Sequence, residues 1–188
     1  MPNIDVPAAY EQDPLGYALT QVAPEIGGPA AGFVQAVYQN LNLPLRVAEA
    51  ARYRTAMING CIVCQNFRAA DHLDNFLKAG GGDPESSLVA RGGERPDEAF
   101  YQAIDNWRES DQFTSQEQLA IEYSEKLALY PDETAYDAEF WQRMKSAFSD
   151  REITELTLAI GSWMALGRLT HILGLDTQCL TDSLNQAA

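Results

Sequence analysis

From Ile153 to Leu173 the chain is apolar almost all the way round a helix. Ser149-Asp150-Arg151-Glu152 launches that helix with a capping box, in which a serine and the glutamate three residues on satisfy each other's backbone amides. A helix without a polar face has to be enclosed, at the centre of a bundle or in a subunit interface, and Gly161 and Gly167 allow other helices to come close. Arg168, His171 and several small or polar residues interrupt the stretch, so it is a buried helix and not a membrane span. Strand-like alternation, internal repeats and low-complexity segments are absent. The expected fold is therefore all-α, a compact bundle of about seven or eight helices.

Residues 1–27 carry Pro2, Pro7, Pro14 and Pro24 in no sustained period. They are expected to form an irregular arm with one turn of helix near Leu15 to Leu19, whose apolar side chains cover the same subunit or a neighbour. Residues 28–188 are expected to be a single domain. Its first helix is predicted from Pro29 to about Asn42, with Phe33, Val37 and Leu41 on one face. After Pro44 a second runs over Leu45 to Ile58, where Arg46, Glu49, Arg52 and Arg54 do not sort onto one side; charges that spoil an amphipathic pattern mark a place to look for a site. A third begins near Cys61 and continues to about Ala79, ended by Gly80-Gly81-Gly82. Further helices are predicted over Pro84 to Ala90, over Pro96 to Glu109, from the capping box Thr114 to Glu117 up to Tyr130, and over Ala138 to Phe148.

The 188 residues carry a formal net charge of −14 with scattered basic residues, which argues against nucleic acid or an anionic membrane as partner. Three cysteines are too few for a disulfide scaffold, and the odd count suits a reducing cytosol. Met1 to Asp13 lacks a basic region followed by an apolar run, so no signal peptide is expected and the chain reads as cytoplasmic.

Two of the cysteines stand in Asn59-Gly60-Cys61-Ile62-Val63-Cys64. Three residues apart on a helix is one turn, so both sulfurs share a face and can form a tight, reducible disulfide. Gly60 breaks the preceding helix and places the pair in the first turn of the next, where free N–H groups and the helix dipole favour thiolate. A cysteine nearer the helix start and nearer solvent is the more acidic, which on the spacing favours Cys61 as the thiolate. Two buried apolar cysteines, or half of a zinc site, are the competing readings. Zinc would need four ligands, and beyond the pair the chain offers Cys179, His72 and His171 in no second paired spacing. No metal or cofactor is expected.

The segment with Glu49 twelve residues before Cys61 and then NGCIVC resembles the alkylhydroperoxidase D-like proteins, which share their fold with carboxymuconolactone decarboxylases. FTSQEQLAIEYSEKLAL and FSDREITELTLAIGSWMALGRLTHILGL are similar to the same family, and together these stretches cover most of residues 40–175. The resemblance implies a thiol-dependent peroxidase. Cys64 would attack a small hydroperoxide, Cys61 would resolve the sulfenic acid to a disulfide, and Glu49 would act as base directly or through water. A dithiol protein or small thiol would then reduce the disulfide. The resemblance, with the apolar Ile153 to Leu173 helix, also implies a homo-oligomer, trimer-based or hexameric.

Where the family's peroxidases carry a histidine four residues after the second cysteine, this chain has Arg68. Arg68 can stabilise a thiolate but cannot accept a proton, and it can equally be held in a salt bridge, for example to Glu49 or Asp71. His72, one turn further on, is either a second approach to the cleft or a surface histidine paired with Asp71 or Asp74. His171 is either a satisfied core residue or faces the site from the long helix. Two other functions remain open: decarboxylation of a lactone acid, which gives the CxxC no task, and a non-enzymatic redox-sensing or assembly module.

Overall fold

The computed structural model describes residues 2–176, and among these it is all helical, with ten α-helices and no strand. Cys179 lies outside the described residues.

The N-terminal segment is more helical than expected. Asp13 caps α1 (Pro14–Tyr17) through the Gly16 N–H, and a π-helical turn, Ala18–Val22, follows directly. Helix α2 (Pro24–Asn40) then starts at Pro24 and runs through Pro29, which was expected to open it. Tertiary packing explains the earlier start. Gly27 lies so close to the preceding turn that a Cβ there would stand 2.2 Å from the Leu19 carbonyl oxygen, and this contact holds the first turns of α2. The buried face is Val34, Val37 and Tyr38, continued by Leu41; Phe33 is rotated out and exposed.

Helix α3 (Leu45–Asn59) is the enclosed centre, packed chiefly against α7 and α10, and ten of its residues are buried. Its misplaced charges prove to be ion pairs. Arg46 binds Glu117 at 2.7 Å, Arg54 binds Glu125 at 2.9 Å, and Arg52 is paired with Glu49 on its own helix. Gly60, at φ +69°, ends α3 in the left-handed conformation, which favours a residue without Cβ.

The expected third helix is two helices, α4 (Ile62–Asn66) and α5 (Ala69–Ala79), with Phe67 and Arg68 extended between them. The buried ion pair supplies the hydrogen bonds that an unbroken helix would have made. Arg52 donates from Nη1 to the Cys64 carbonyl at 2.6 Å and from Nη2 to the Phe67 carbonyl at 2.8 Å, while Glu49 accepts from the Ala69 N–H at 3.2 Å.

The remaining elements are a short 3₁₀ turn at Pro84–Ser86, α6 (Glu98–Ala103) with a 3₁₀ extension to Glu109, α7 (Ser115–Leu129), α8 (Pro131–Ala135), α9 (Ala138–Ala147) and α10 (Asp150–Ile172). Both capping boxes form. Pro131 stops α7 and also opens α8, an additional helix. Helix α10 is long as expected but is not wholly enclosed: Leu158 and Ile172 face outward, and a Cβ on Gly161 would meet nothing within 4 Å. Gly167 does sit in a close approach, against Asn59 of α3. No helix among the described residues is long and apolar enough to cross a membrane.

Candidate redox site

Cys61 and Cys64 form a disulfide, with their Cα atoms 5.3 Å apart. The two sulfurs differ in environment. Contrary to the expectation that Cys61 stands nearer solvent, it is fully buried at the cap of α4, where its sulfur accepts from the Cys64 N–H at 3.3 Å, while Cys64 is partly exposed. With α4 only five residues long, local N–H groups rather than a helix dipole are what a thiolate here would meet.

Cys64 opens onto an apolar cavity of about 120 Å³, lined by Tyr38, Val63, Phe67, Trp163 and Leu166, and closed on one side by Leu15 of α1. The N-terminal segment thus covers its own subunit and completes the cavity, which nothing in the local sequence indicates. Burial pushes the Tyr38 hydroxyl above its ordinary range, so it stands in the cavity wall as a neutral phenol. Arg52 is the charged residue of the wall.

Glu49 lies behind Arg52. It accepts from Arg52 Nε and Nη2, from the Ala69 N–H, and from the Tyr101 hydroxyl at 2.6 Å. Burial opposes the charge on Arg52, but the Glu49 carboxylate more than compensates and the guanidinium titrates above its usual range. Burial, reinforced by the Glu49 charge, likewise pushes the Tyr101 phenol up. Arg52 therefore bridges the Glu49 carboxylate and the Cys64 carbonyl.

Because the helix breaks before it, Arg68 does not continue the cysteine face. Its guanidinium binds Glu98 at 2.8 Å, in place of Glu49 or Asp71, and lies 3.9 Å over the Tyr101 ring. The Glu98 carboxyl is held below its usual range by the hydrogen bond from Arg68. His72 accepts the Arg68 N–H on Nδ1 at 2.9 Å and packs on Phe67, which makes it a cap for the first turn of α5. Tyr101 and the aromatic wall were missed from sequence, since none of them stands in a motif.

His171 is not a core residue. Half exposed at the end of α10, it contacts Asp176 at 2.9 Å, and Asp176 also accepts the Ile62 N–H at 3.1 Å. Its Nε2 would stand 3.0 Å from a Cβ on Gly60. No group of His, Cys, Asp and Glu among the described residues is arranged to hold a metal ion.

No family model matches the sequence, and no curated protein does. A crystal structure from Agrobacterium tumefaciens, of a protein of unknown function suggested to be the antioxidant defence protein AhpD, matches with a TM-score of 0.62. The match covers 85% of this chain and 94% of that one at 22% identity. The chain has the alkylhydroperoxidase D-like fold. In this chain the paired cysteines stand at the start of α4, joined as a disulfide, and the residue four positions after Cys64 is an arginine bound to Glu98.

Proposed function

We propose that the chain is a thiol peroxidase for organic hydroperoxides that works through Cys61 and Cys64. The observation that carries this reading is the asymmetry of the pair: Cys64 lines an apolar cavity and Cys61 is buried behind it. A hydroperoxide lodges its organic group against Phe67, Trp163 and Leu166, with its O–O bond toward Cys64. The Cys64 thiolate attacks the terminal oxygen, the O–O bond breaks, and the alkoxide takes a proton from the medium and leaves as alcohol. Cys61 then attacks the Cys64 sulfenic acid, and the departing hydroxide leaves as water with the Cys61 proton. An external dithiol, as a protein or a small thiol, returns the disulfide to two thiols while becoming a disulfide itself.

In this reading Glu49 is a positioning residue that acts through Arg52, in place of the base, acting directly or through water, that the family resemblance implies. Arg68 and His72 hold the break between α4 and α5. The protein works as a cytoplasmic homo-oligomer, a trimer or hexamer, through the apolar face shared by α2 and α10.

The test is a count of free thiols before and after one equivalent of cumene hydroperoxide, with rates. Rapid loss of two thiols, with Cys179 left free, is expected, and Cys61→Ser should accumulate sulfenic acid on Cys64, read as a 16 Da gain. The four donors on Glu49 favour, as a second reading, a sensor that oxidises without rapid turnover, and slow loss of the two thiols would select it. No loss would overturn both and leave the decarboxylase or a structural role.

A further inference from the structure

Asp176 accepts two hydrogen bonds on one oxygen, from the Ile62 N–H at 3.1 Å and in its contact with His171 Nδ1 at 2.9 Å. Ile62 immediately follows Cys61, so a buried carboxylate is anchored one residue from a sulfur of the redox pair. A carboxylate so close opposes formation of a thiolate, because two anions in a partly desolvated site repel. An imidazolium at His171 cancels that repulsion. The imidazole ring lies against Gly60, the residue before Cys61, where the missing side chain leaves it room.

The other charged group on this end of α10, Arg168, is engaged by Asn59 Oδ1 at 3.1 Å and the Ala128 carbonyl at 3.2 Å. Asn3, which donates to the Ile172 carbonyl, and Asn59, which accepts from Arg168, carry no charge. Among the described residues, Asp176 is the charged group in contact with His171.

We propose that His171 and Asp176 form a proton-linked positioning pair for the CxxC turn, in which protonation of His171 stabilises the thiolate of the reduced cysteines. The proposal rests on Cys61 and Cys64 being a reversible redox pair. When a dithiol such as dithiothreitol reduces the disulfide, the S–S bond breaks and the two electrons pass to the cysteine sulfurs. Of the two protons that the dithiol gives up, one goes to a cysteine sulfur and the other to His171 while the second sulfur stays a thiolate. The dithiol closes to its own disulfide.

Linkage makes this measurable in the wild-type protein without any peroxide. The chain has two histidines, so proton NMR can follow both ring signals against pH in the oxidised and the dithiothreitol-reduced states. The midpoint of His171 should be higher in the reduced state, while His72, which caps α5, serves as control and does not move. Alkylation of Cys61 and Cys64 in the reduced protein, read by peptide mass so that Cys179 does not contribute, gives the reciprocal effect. His171→Gln should slow it by roughly threefold to tenfold near pH 6, converging with wild type in alkali; a tenfold change is one pKa unit of thiolate stabilisation. Asp176→Asn should speed it at high pH by removing the opposing charge. Equal His171 midpoints in the two states, or superimposable alkylation profiles for wild type and His171→Gln, would overturn the proposal. A shifted midpoint in a protein that ignores hydroperoxide would instead uphold the pair and reject the peroxidase reading.

Discussion

Arg52 donates to the carbonyl of Cys64 across twelve residues, at 2.6 Å, while its remaining nitrogens hold Glu49 and Phe67. The second cysteine is thereby fixed by a buried cation whose own counter-ion is the glutamate that the sequence resemblance singles out. This arrangement decides how substitutions at Glu49 should fail.

Glu49→Gln leaves the Arg52 charge buried without its partner. Breaking a buried pair in this way costs about 3–5 kcal/mol, so the variant should unfold at markedly lower urea concentration and should also react poorly with hydroperoxide. A pure base would lose activity with its stability intact. Urea unfolding beside thiol oxidation separates the two roles, and unchanged stability would return Glu49 to the status of a base.

Ala56 is buried in the cavity wall beside Cys64. Ala56→Leu should fill part of the cavity and lower kcat/KM for cumene hydroperoxide by roughly tenfold or more relative to hydrogen peroxide, since apolar pockets discriminate at about that level for each methylene misfit. Equal losses for both oxidants would mean that the cavity does not receive the organic group.

Acid stability should depend on Glu125. Burial pushes its carboxyl up, but hydrogen bonds from Arg108 and Trp107 and the charge of Arg54 outweigh burial and hold it below the usual carboxylate range. With the folded value depressed, its contribution is fully present above the unfolded value of about 4.3 and is lost as pH falls through the folded one. Glu125→Gln should be less stable than wild type at pH 7, and the gap should narrow below about pH 4. Thermal melts across pH measure this; a constant gap would contradict it.

Ile26, Phe33, Leu158 and Ile172 are large exposed apolar residues on α2 and α10, and Phe33 and Leu158 line the same surface depression. Light scattering should show a trimer or hexamer for the wild type, and Leu158→Glu should shift it toward the 20.7 kDa monomer. A wild-type monomer at micromolar concentration would remove this face as an interface.

Local chemistry was legible in the sequence. Both capping boxes, the ends imposed by Gly60 and Pro131, the all-helical class and the cysteine pair depend on neighbours within a few residues, and hydrogen bonds of that range are written in short patterns. The break at Phe67 and Arg68 was not legible, because Arg52 and Glu49 on another helix satisfy the groups it frees. Nor were the partners of the charged residues: Arg68 meets Glu98 thirty residues on, Tyr101 meets Glu49 across fifty-two, and Asp176 reaches Ile62 across 114. A carboxylate or guanidinium finds its partner by where packing brings the helices, and the sequence lists several candidates of equal chemistry at each position. Helix identity is set by short-range periodicity and capping; the surroundings of the cysteine pair are set by which buried charges the bundle forces together.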